Sequence, residues 1–398
     1  MEINNEIPNI EFLLKTNAKF GVGIFKNLKS ELEYLSYHKI GVILDPALSE
    51  LDYLKDILKD LESDESMNVI KWIYDLKAEP DYDSLDRIKT KFIDTSSTPL
   101  IDCFIGIGGG SVIDFAKGLA TLVVNQGDAI NYRGFPENIN PPLPVIAVPT
   151  TAGTGSEVTY NAVFTDKKGE KKLGINSKLN FPVLALLDPI LTLGCPKSVT
   201  VSSGMDAVVH TLESHIANQS NQINRIFSRE AFKILYNNLY HILDNMSNTD
   251  VRAQLQLGAY LASISLINSG SGPAGALSYS LGVHFNVPHG IAGAVFLPFI
   301  VEHNVKAGYD YGDLYDLIEG TEKNIDTKEK SIHFSEKIFE LCNVLGVPDS
   351  LRVFGVDETN IQTLIDESEN LQNAFAQNPV PFTVHDANSL LLRMIKEK

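Results

Sequence analysis

Asp206 and His210 are the residues whose types and spacing most directly indicate chemistry in this sequence. In a helix, residues four positions apart lie on one face, so this carboxylate and this imidazole could bind the same divalent cation. Glu213 continues that face three residues later, among small and apolar neighbours that predict a buried helix. Buried ionisable groups are costly unless they are paired or bound to metal. A hydrogen-bonded Asp–His pair inside a helical core is the alternative interpretation.

Two further histidines, His284 and His289, lie downstream in a stretch rich in glycine and serine. His289 follows a proline and comes directly before an apolar segment, 291–304, whose periodicity is typical of a helix. A histidine held at the entrance of a helix is well placed to bind a metal, and a capping or core role is the alternative.

Two loops that follow predicted strands have the composition of phosphate-binding sites. The first, at 108–111, contains three glycines and a serine and runs into a predicted helix. Glycines let backbone amides approach a phosphate closely, and the start of a helix adds a positive dipole. This loop is neither a P-loop nor a G-x-G-x-x-G motif, so close packing of helix on strand is the alternative. The second loop, at 150–159, is a run of threonines and small residues typical of a phosphate or ribose site.

Asp45 and Lys172 are candidate cofactor contacts outside these loops. Asp45 ends a predicted strand, 39–44, where a carboxylate could accept hydrogen bonds from ribose hydroxyls. It could equally cap the helix that follows. Lys172 belongs to a predicted hairpin between residues 160 and 187, and a solvated lysine is the alternative there.

The elements that must position these residues change character near residue 190. Strands alternate with helices before that point, which predicts an α/β half. Helical periodicity dominates after it, which predicts an all-α half, and residues 268–290 are expected to connect two of its helices. We expect the active site in the cleft between the two halves.

Charge and composition exclude several classes of partner. The net charge of −17 argues against nucleic acid and against anionic membranes, because both require clustered Lys and Arg. Three widely separated cysteines predict neither disulfides nor a thiolate zinc site. No apolar run reaches membrane-spanning length, and residues 1–6 lack the features of a signal peptide. A cytoplasmic protein is expected.

Four motifs in this order give the chain a resemblance to a known family. It resembles the iron-containing (group III) alcohol dehydrogenases of the dehydroquinate synthase-like superfamily, over residues 20–379. The resemblance implies an NAD(P)-dependent oxidoreductase that interconverts a primary or secondary alcohol and its aldehyde or ketone, usually as a homodimer or larger assembly. The motifs are Gly108-Gly109-Gly110-Ser111-x-x-Asp114-x-x-Lys117, the run from Pro149 to Thr159, Asp206-x-x-x-His210-x-x-Glu213, and Pro288-His289-Gly290.

The resemblance also assigns roles to residues. It implies a Rossmann-like dinucleotide-binding domain over 1–190 and a helical metal and substrate domain over 191–398. Fe²⁺ or Zn²⁺ would be bound by Asp206, His210 and His289, and Tyr279 or His284 would relay a proton. Asp45 would repel the 2′-phosphate of NADP, so NAD is expected. The implied cofactor contacts are Asp45, Gly109, Gly110, Ser111, Asp114, Thr150, Thr151, Thr154, Lys172 and Leu191.

One position departs from the family pattern. A fourth metal ligand would be expected fourteen residues before His289, and this chain has Gly275 there. Three interpretations follow: three ligands bind the metal and leave an open position, His284 completes the set, or the site works without metal, as in maleylacetate reductase-like members of the superfamily. A non-catalytic protein that retains nucleotide binding is a further alternative.

Overall fold

The computed structural model describes residues 9–75, 80–169 and 171–396. The expectation about a signal peptide concerns residues that lie outside these ranges. No helix among the described residues is long and apolar enough to cross a lipid bilayer.

The N-terminal half is built around a six-stranded sheet. The strands of the chain are β1 (Asn17–Phe20), β2 (Lys39–Leu44), β3 (Asn68–Ile73), β4 (Cys103–Gly108), β5 (Val145–Pro149), β6 (Thr165–Asp166), β7 (Lys171–Lys172) and β8 (Leu184–Leu187). The sheet has the order β1-β8-β5-β4-β2-β3, and every pair in it is parallel. Its helices are α1 (Leu28–Leu35), α2 (Asp52–Ser63), α3 (Tyr82–Lys89) and α4 (Gly110–Leu122).

Strand β4 lies in the middle of this sheet and is completely buried. Phe104 packs into one apolar cluster, whereas Cys103 and Ile105 pack into the cluster on the opposite face. Burial on both faces is expected for a parallel sheet covered by helices, and it explains why the strand is almost continuously apolar.

The register of the sheet brings three loops to one edge. Leu44 pairs with Ile107, and Gly108 pairs with Pro149, so β2, β4 and β5 end side by side. Asp45 donates its backbone N–H to the Ile107 carbonyl at 2.9 Å. Ligands of open parallel sheets bind at such carboxyl ends.

The C-terminal half is entirely helical within the described residues. Helix α5 carries the Asp206 motif and packs against α6, α7, α8 and α9. The helices are α5 (Lys197–Ile216), α6 (Gln222–Asp244), α7 (Thr249–Ile267), α8 (Pro273–Phe285), α9 (His289–Lys306), α10 (Gly312–Tyr315), α11 (Thr327–Leu345), α12 (Gln362–Ser368), α13 (Gln372–Phe375) and α14 (Val384–Met394).

Helix α8 corrects the expectation that residues 268–290 only connect two helices. Pro273 occupies the first turn, where its fixed φ suits a helix and its missing N–H is no loss. The Glu213 carboxylate of α5 accepts hydrogen bonds from the amides of Gly272, Ala274 and Gly275 at 2.8, 2.6 and 3.1 Å. These contacts satisfy amides that a helix leaves unpaired at its start.

Candidate active site

A cleft of about 2030 Å³ separates the carboxyl edge of the sheet from the helical half. Gly109 and Thr151 line the side that we call the cofactor wall, which consists of Asp45 and the loops 109–111 and 151–159. Asp206 and His289 line the opposite side, the metal wall, which consists of the cleft-facing residues of α5, α8 and the start of α9. The cleft expected between the two halves is therefore present.

The glycine-rich turn and the threonine-rich loop are packed directly against each other. A Cβ atom on Gly110 would lie 2.6 Å from the Thr154 hydroxyl oxygen, which is too close for any side chain. A Cβ atom on Gly153 would lie 2.4 Å from the Ser203 carbonyl of α5, so the same loop also contacts the helical half. Gly109 is the N-cap of α4, Gly110 and Ser111 are its first residues, and all three line the cleft. Close backbone approach at a helix start suits a pyrophosphate.

Asp114 ties these two loops together from inside. Its carboxylate accepts hydrogen bonds from the Ser156 hydroxyl and from the Val163 amide at 2.9 Å. The fully buried Lys117 ammonium lies 3.7 Å from this carboxylate and donates to the backbone carbonyls of Thr159 and Asn161. Burial raises the pKa of Asp114, lowers the pKa of Lys117 to about 8 and raises the pKa of Glu157 to about 7. This buried group of charges fixes the shape of the cofactor wall.

Asp45 caps a helical turn and also lies at the cleft, so its location is compatible with both interpretations of the sequence. Its side chain accepts from the Ala47 amide at 2.9 Å, so it caps the short helical turn that follows β2. It also lines the cleft, beside the glycine-rich turn. Contact with a ribose therefore stays a prediction that is compatible with the cap.

Lys172 and Tyr279 approach each other across the cleft. The predicted hairpin is reduced to the two-residue strands β6 and β7, and β7 holds Lys172 with its ammonium group 5.6 Å from the centre of the Tyr279 ring. The Tyr279 ring in turn lies against His289, with centroids 4.9 Å apart. The positive charge of Lys172 also lowers the pKa of Asp114, against the larger effect of burial. These residues connect the two walls.

Asp206, His210 and His289 converge on the metal wall, with one ligand atom from each within 4.8 Å of the others. The Asp206 Oδ1 atom lies 3.6 Å from His210 Nε2 and 3.8 Å from His289 Nε2. The Nδ1 atom of His210 is buried and has no hydrogen-bond partner in the described part of the chain. One carboxylate and two imidazoles whose Nε2 atoms lie beside it are a donor set that fits a divalent cation such as Fe²⁺ or Zn²⁺.

The position of the expected fourth ligand is closed. A Cβ atom on Gly275 would lie 2.2 Å from the Ser271 hydroxyl and 2.9 Å from Glu213 Oε2. Ser271 donates to that carboxylate at 2.7 Å, so Glu213 accepts four hydrogen bonds with those from the backbone of α8. Burial raises the pKa of Glu213, and these hydrogen bonds act in the opposite direction. Glu213 thus shapes the metal wall and stays outside the ligand cluster.

Three predicted site residues do not reach this cluster or the cleft. His284 lies on the last turn of α8, away from both, so it does not complete the ligand set as one interpretation required. Thr150 is buried at the end of β5, and its amide bonds to the Gly108 carbonyl. Leu191 is packed in the apolar cluster under the sheet.

Two residues of the site escaped sequence reasoning. Ser271 and Ser278 carry no motif of their own, and each contacts a partner on a different helix, Glu213 on α5 and His289 on α9. Only the spacing of Ser278, three residues after Gly275 on one helix face, could have suggested a local contact.

Comparisons with known proteins agree with this arrangement. Residues 15–189 match the family model described as "Iron-containing alcohol dehydrogenase", and residues 200–395 match "Fe-containing alcohol dehydrogenase family, C-terminal". The chain is 33% identical to 1,3-propanediol dehydrogenase of Citrobacter freundii over 282 residues, 70% of this chain and 72% of that protein. It is 29% identical to sulfoacetaldehyde reductase of Bilophila wadsworthia over 364 residues, 90% and 92% of the two chains.

Among solved structures, a 1,3-propanediol oxidoreductase superposes with a TM-score of 0.88 at 26% identity, covering 97% of this chain and 100% of that one. The match extends over both halves, so the α/β domain followed by a helical domain is a shared architecture.

Proposed function

We propose, from the premise that this chain belongs to the iron-containing alcohol dehydrogenase family, that its two walls bring a nicotinamide cofactor and an alcohol together over a three-ligand cation centre. The chain is an NAD-dependent oxidoreductase of alcohols and aldehydes. One observation carries the proposal for the site: the ligand atoms of Asp206, His210 and His289 converge in the cleft that the glycine-rich turn also lines.

The cofactor wall supports a defined placement of NAD. The amides at 109–111 and the hydroxyls of Thr151 and Thr154 would hold the pyrophosphate, and Asp45 would face the adenosine ribose. Bound NAD supplies the hydride acceptor. Lys172 and Tyr279 would lie near the nicotinamide end, because they stand between this wall and His289.

The metal wall supports a Lewis-acid role. Asp206, His210 and His289 would hold the cation, which, when bound, supplies polarisation of the substrate oxygen. Three protein ligands leave room for substrate, as in other catalytic centres. Tyr279 lines the cleft and packs against His289, whereas His284 does not line the cleft. We therefore assign the proton relay to Tyr279.

The lining favours a neutral substrate with hydroxyl groups. Ser198, Ser202, Ser269 and Ser271 line the cleft, and the positive start of α8 is already taken by the Glu213 carboxylate. Those amides are therefore not available to bind an anionic group. We therefore propose a short diol, such as the substrate named for the Citrobacter freundii relative, in preference to a sulfonated aldehyde.

NADH formation from a panel of alcohols tests this function. We expect metal-replete protein to oxidise 1,3-propanediol and butanol, and to leave isethionate, the alcohol of sulfoacetaldehyde, largely unreacted at equal concentration. The reverse preference would contradict the neutral substrate class. Absence of turnover with every alcohol, and with every aldehyde in the reverse direction, would contradict the site as proposed.

The proposal includes a cytoplasmic homodimer or larger assembly. Strand β1 is an edge of the sheet and exposes Phe20, and exposed apolar edges are typical sites of association. Light scattering on the purified chain tests the assembly state, and a monomer at working concentration would contradict it.

A further inference from the structure

Ser278 links the metal wall to the glycine at the missing ligand position. It lies on α8, is 1% exposed, and has its hydroxyl oxygen 2.6 Å from the Gly275 carbonyl oxygen. The same hydroxyl lies 3.0 Å from the Nδ1 atom of His289, at the start of α9. Its two neighbours are therefore a backbone acceptor and a ring nitrogen of a proposed metal ligand.

Only one placement of hydrogen atoms satisfies both hydrogen bonds of the Ser278 hydroxyl. A carbonyl oxygen can only accept, so the hydroxyl hydrogen of Ser278 points to Gly275. A hydroxyl has a single hydrogen, so its oxygen must accept a hydrogen bond from His289. Nδ1 of His289 therefore carries a proton, and in the neutral ring the lone pair is on Nε2, the atom that lies 3.8 Å from Asp206 Oδ1.

We infer that Ser278 is a positioning residue, which fixes the tautomer and the ring orientation of His289 so that Nε2 is the atom offered to the cation. The inference rests on the proposed cation centre. A hydrogen-bond partner on the second nitrogen commonly orients a metal-binding histidine and raises its affinity for the metal. The chain of contacts from the Gly275 carbonyl through Ser278 to His289 gives position 275 a role through its backbone.

The other imidazole of the centre is held differently. His210 has no partner at Nδ1 in the described residues, and its position is set by burial within α5. His289 is the more exposed of the two, with a quarter of its side chain accessible, so it has more need of an orienting hydrogen bond. Loss of the Ser278 hydroxyl would remove the hydrogen bond that assigns the proton to Nδ1 of this ring.

Cation binding to chelator-treated protein tests this role without measuring turnover. Co²⁺ is titrated in competition with a chromogenic chelator into the wild type, Ser278→Ala, Ser278→Thr and Ser280→Ala. We expect Ser278→Ala to weaken Co²⁺ binding by about 10- to 100-fold. Ser278→Thr, which keeps the hydroxyl, should recover most of that loss. Ser280 is a buried serine of the same helix outside the cleft, so its variant should bind like the wild type.

A spectroscopic measurement reports the His289 tautomer in the wild type itself, and a variant is used only to assign the signals. In Zn²⁺-loaded protein labelled with ¹⁵N-histidine, the His289 signals, identified by their absence in His289→Ala, should show a protonated Nδ1 and a coordinated Nε2. Coordination through Nδ1 would overturn the inference. A Ser278→Ala protein that binds Co²⁺ within about twofold of the wild type would overturn it as well, because the loss expected for an orienting partner is larger. Wild-type protein that binds no Co²⁺ would contradict the cation centre itself, together with the role of Ser278.

Discussion

The two walls of the cleft are built from different kinds of structure. The cofactor wall consists largely of loops that glycines allow to pack closely, and Asp114 and Lys117 fix the shape of these loops from below. On the metal wall, three side chains from α5 and α9 converge, and their orientation depends on partners such as Ser278. We therefore expect substitutions that add side-chain atoms to impair the cofactor wall, and substitutions that remove side-chain atoms to impair the metal wall.

Removal of a ligand from the metal wall should have the largest effect. We expect His210→Ala to lower kcat/KM for alcohol by roughly 10³-fold, because Lewis-acid polarisation contributes several kcal/mol to the transition state. Stoichiometric cation uptake should be lost as well. His241→Ala, at an exposed histidine of α6, is the matched control and should retain both properties. Full turnover by the folded His210→Ala protein would show that the metal wall does not act through a cation.

Addition of one methyl group to the cofactor wall should have the next largest effect. Gly110→Ala would place its Cβ 2.6 Å from the Thr154 hydroxyl, so one of the two phosphate loops must shift. A displacement of this size should raise the KM for NAD by about 10- to 100-fold. Co²⁺ binding should be unchanged, because the ligands are on the other wall.

Gly194→Ala is the control, since a Cβ there meets no atom within 4 Å. If Gly110→Ala binds NAD normally, the glycine-rich turn does not contact the cofactor as proposed.

Removal of one charge from the cofactor wall should have the smallest effect. Asp45→Asn keeps the cap on the Ala47 amide, because asparagine is as good an N-cap as aspartate. It removes the negative charge that would repel a 2′-phosphate. The ratio of kcat/KM with NADP to that with NAD should rise roughly 5- to 10-fold, as expected for charges near a solvated surface.

The exposed carboxylate Glu50 lies outside the cleft, and Glu50→Gln should leave the same ratio unaltered. An Asp45→Asn protein with the wild-type ratio would assign Asp45 to capping alone.

The same contrast explains what the sequence could predict. The glycine-rich turn and the threonine-rich loop can be predicted from strand, turn and helix signals, because all their determinants are neighbours in the chain. Asp206 and His210 were likewise found from their helical spacing. The architecture and the family were confirmed by the comparisons and by the structure. The roles of individual site residues stay predictions.

Helix α8 was missed because its determinants are not local. Most of its residues are buried, so it lacks the alternation of apolar and polar faces that marks a surface helix. Its start is stabilised by Glu213, about sixty residues earlier in the chain. The position of Ser278 relative to His289 depends on how α8 and α9 pack, which no spacing rule supplies. Gly275 could be recognised as a departure, but only the structure shows Ser271 and Glu213 beside it.

Gly275 also makes metal dependence the central question for this chain. A metal-independent reductase is the alternative that this residue favours, since it removes one ligand of the family pattern. The fit of Asp206, His210 and His289 to a cation argues for retention of the metal.

Stoichiometric reconstitution tests this claim most directly. Protein stripped by a chelator is titrated with Fe²⁺ under anaerobic conditions, or with Zn²⁺, while NADH formation from 1,3-propanediol and bound metal per chain are measured on the same samples. We predict that activity is negligible in stripped protein and rises linearly until one cation is bound per chain, in step with the three-ligand cluster. Undiminished activity in protein with less than about 0.1 cation per chain, well below the single site of a three-ligand centre, would contradict the account.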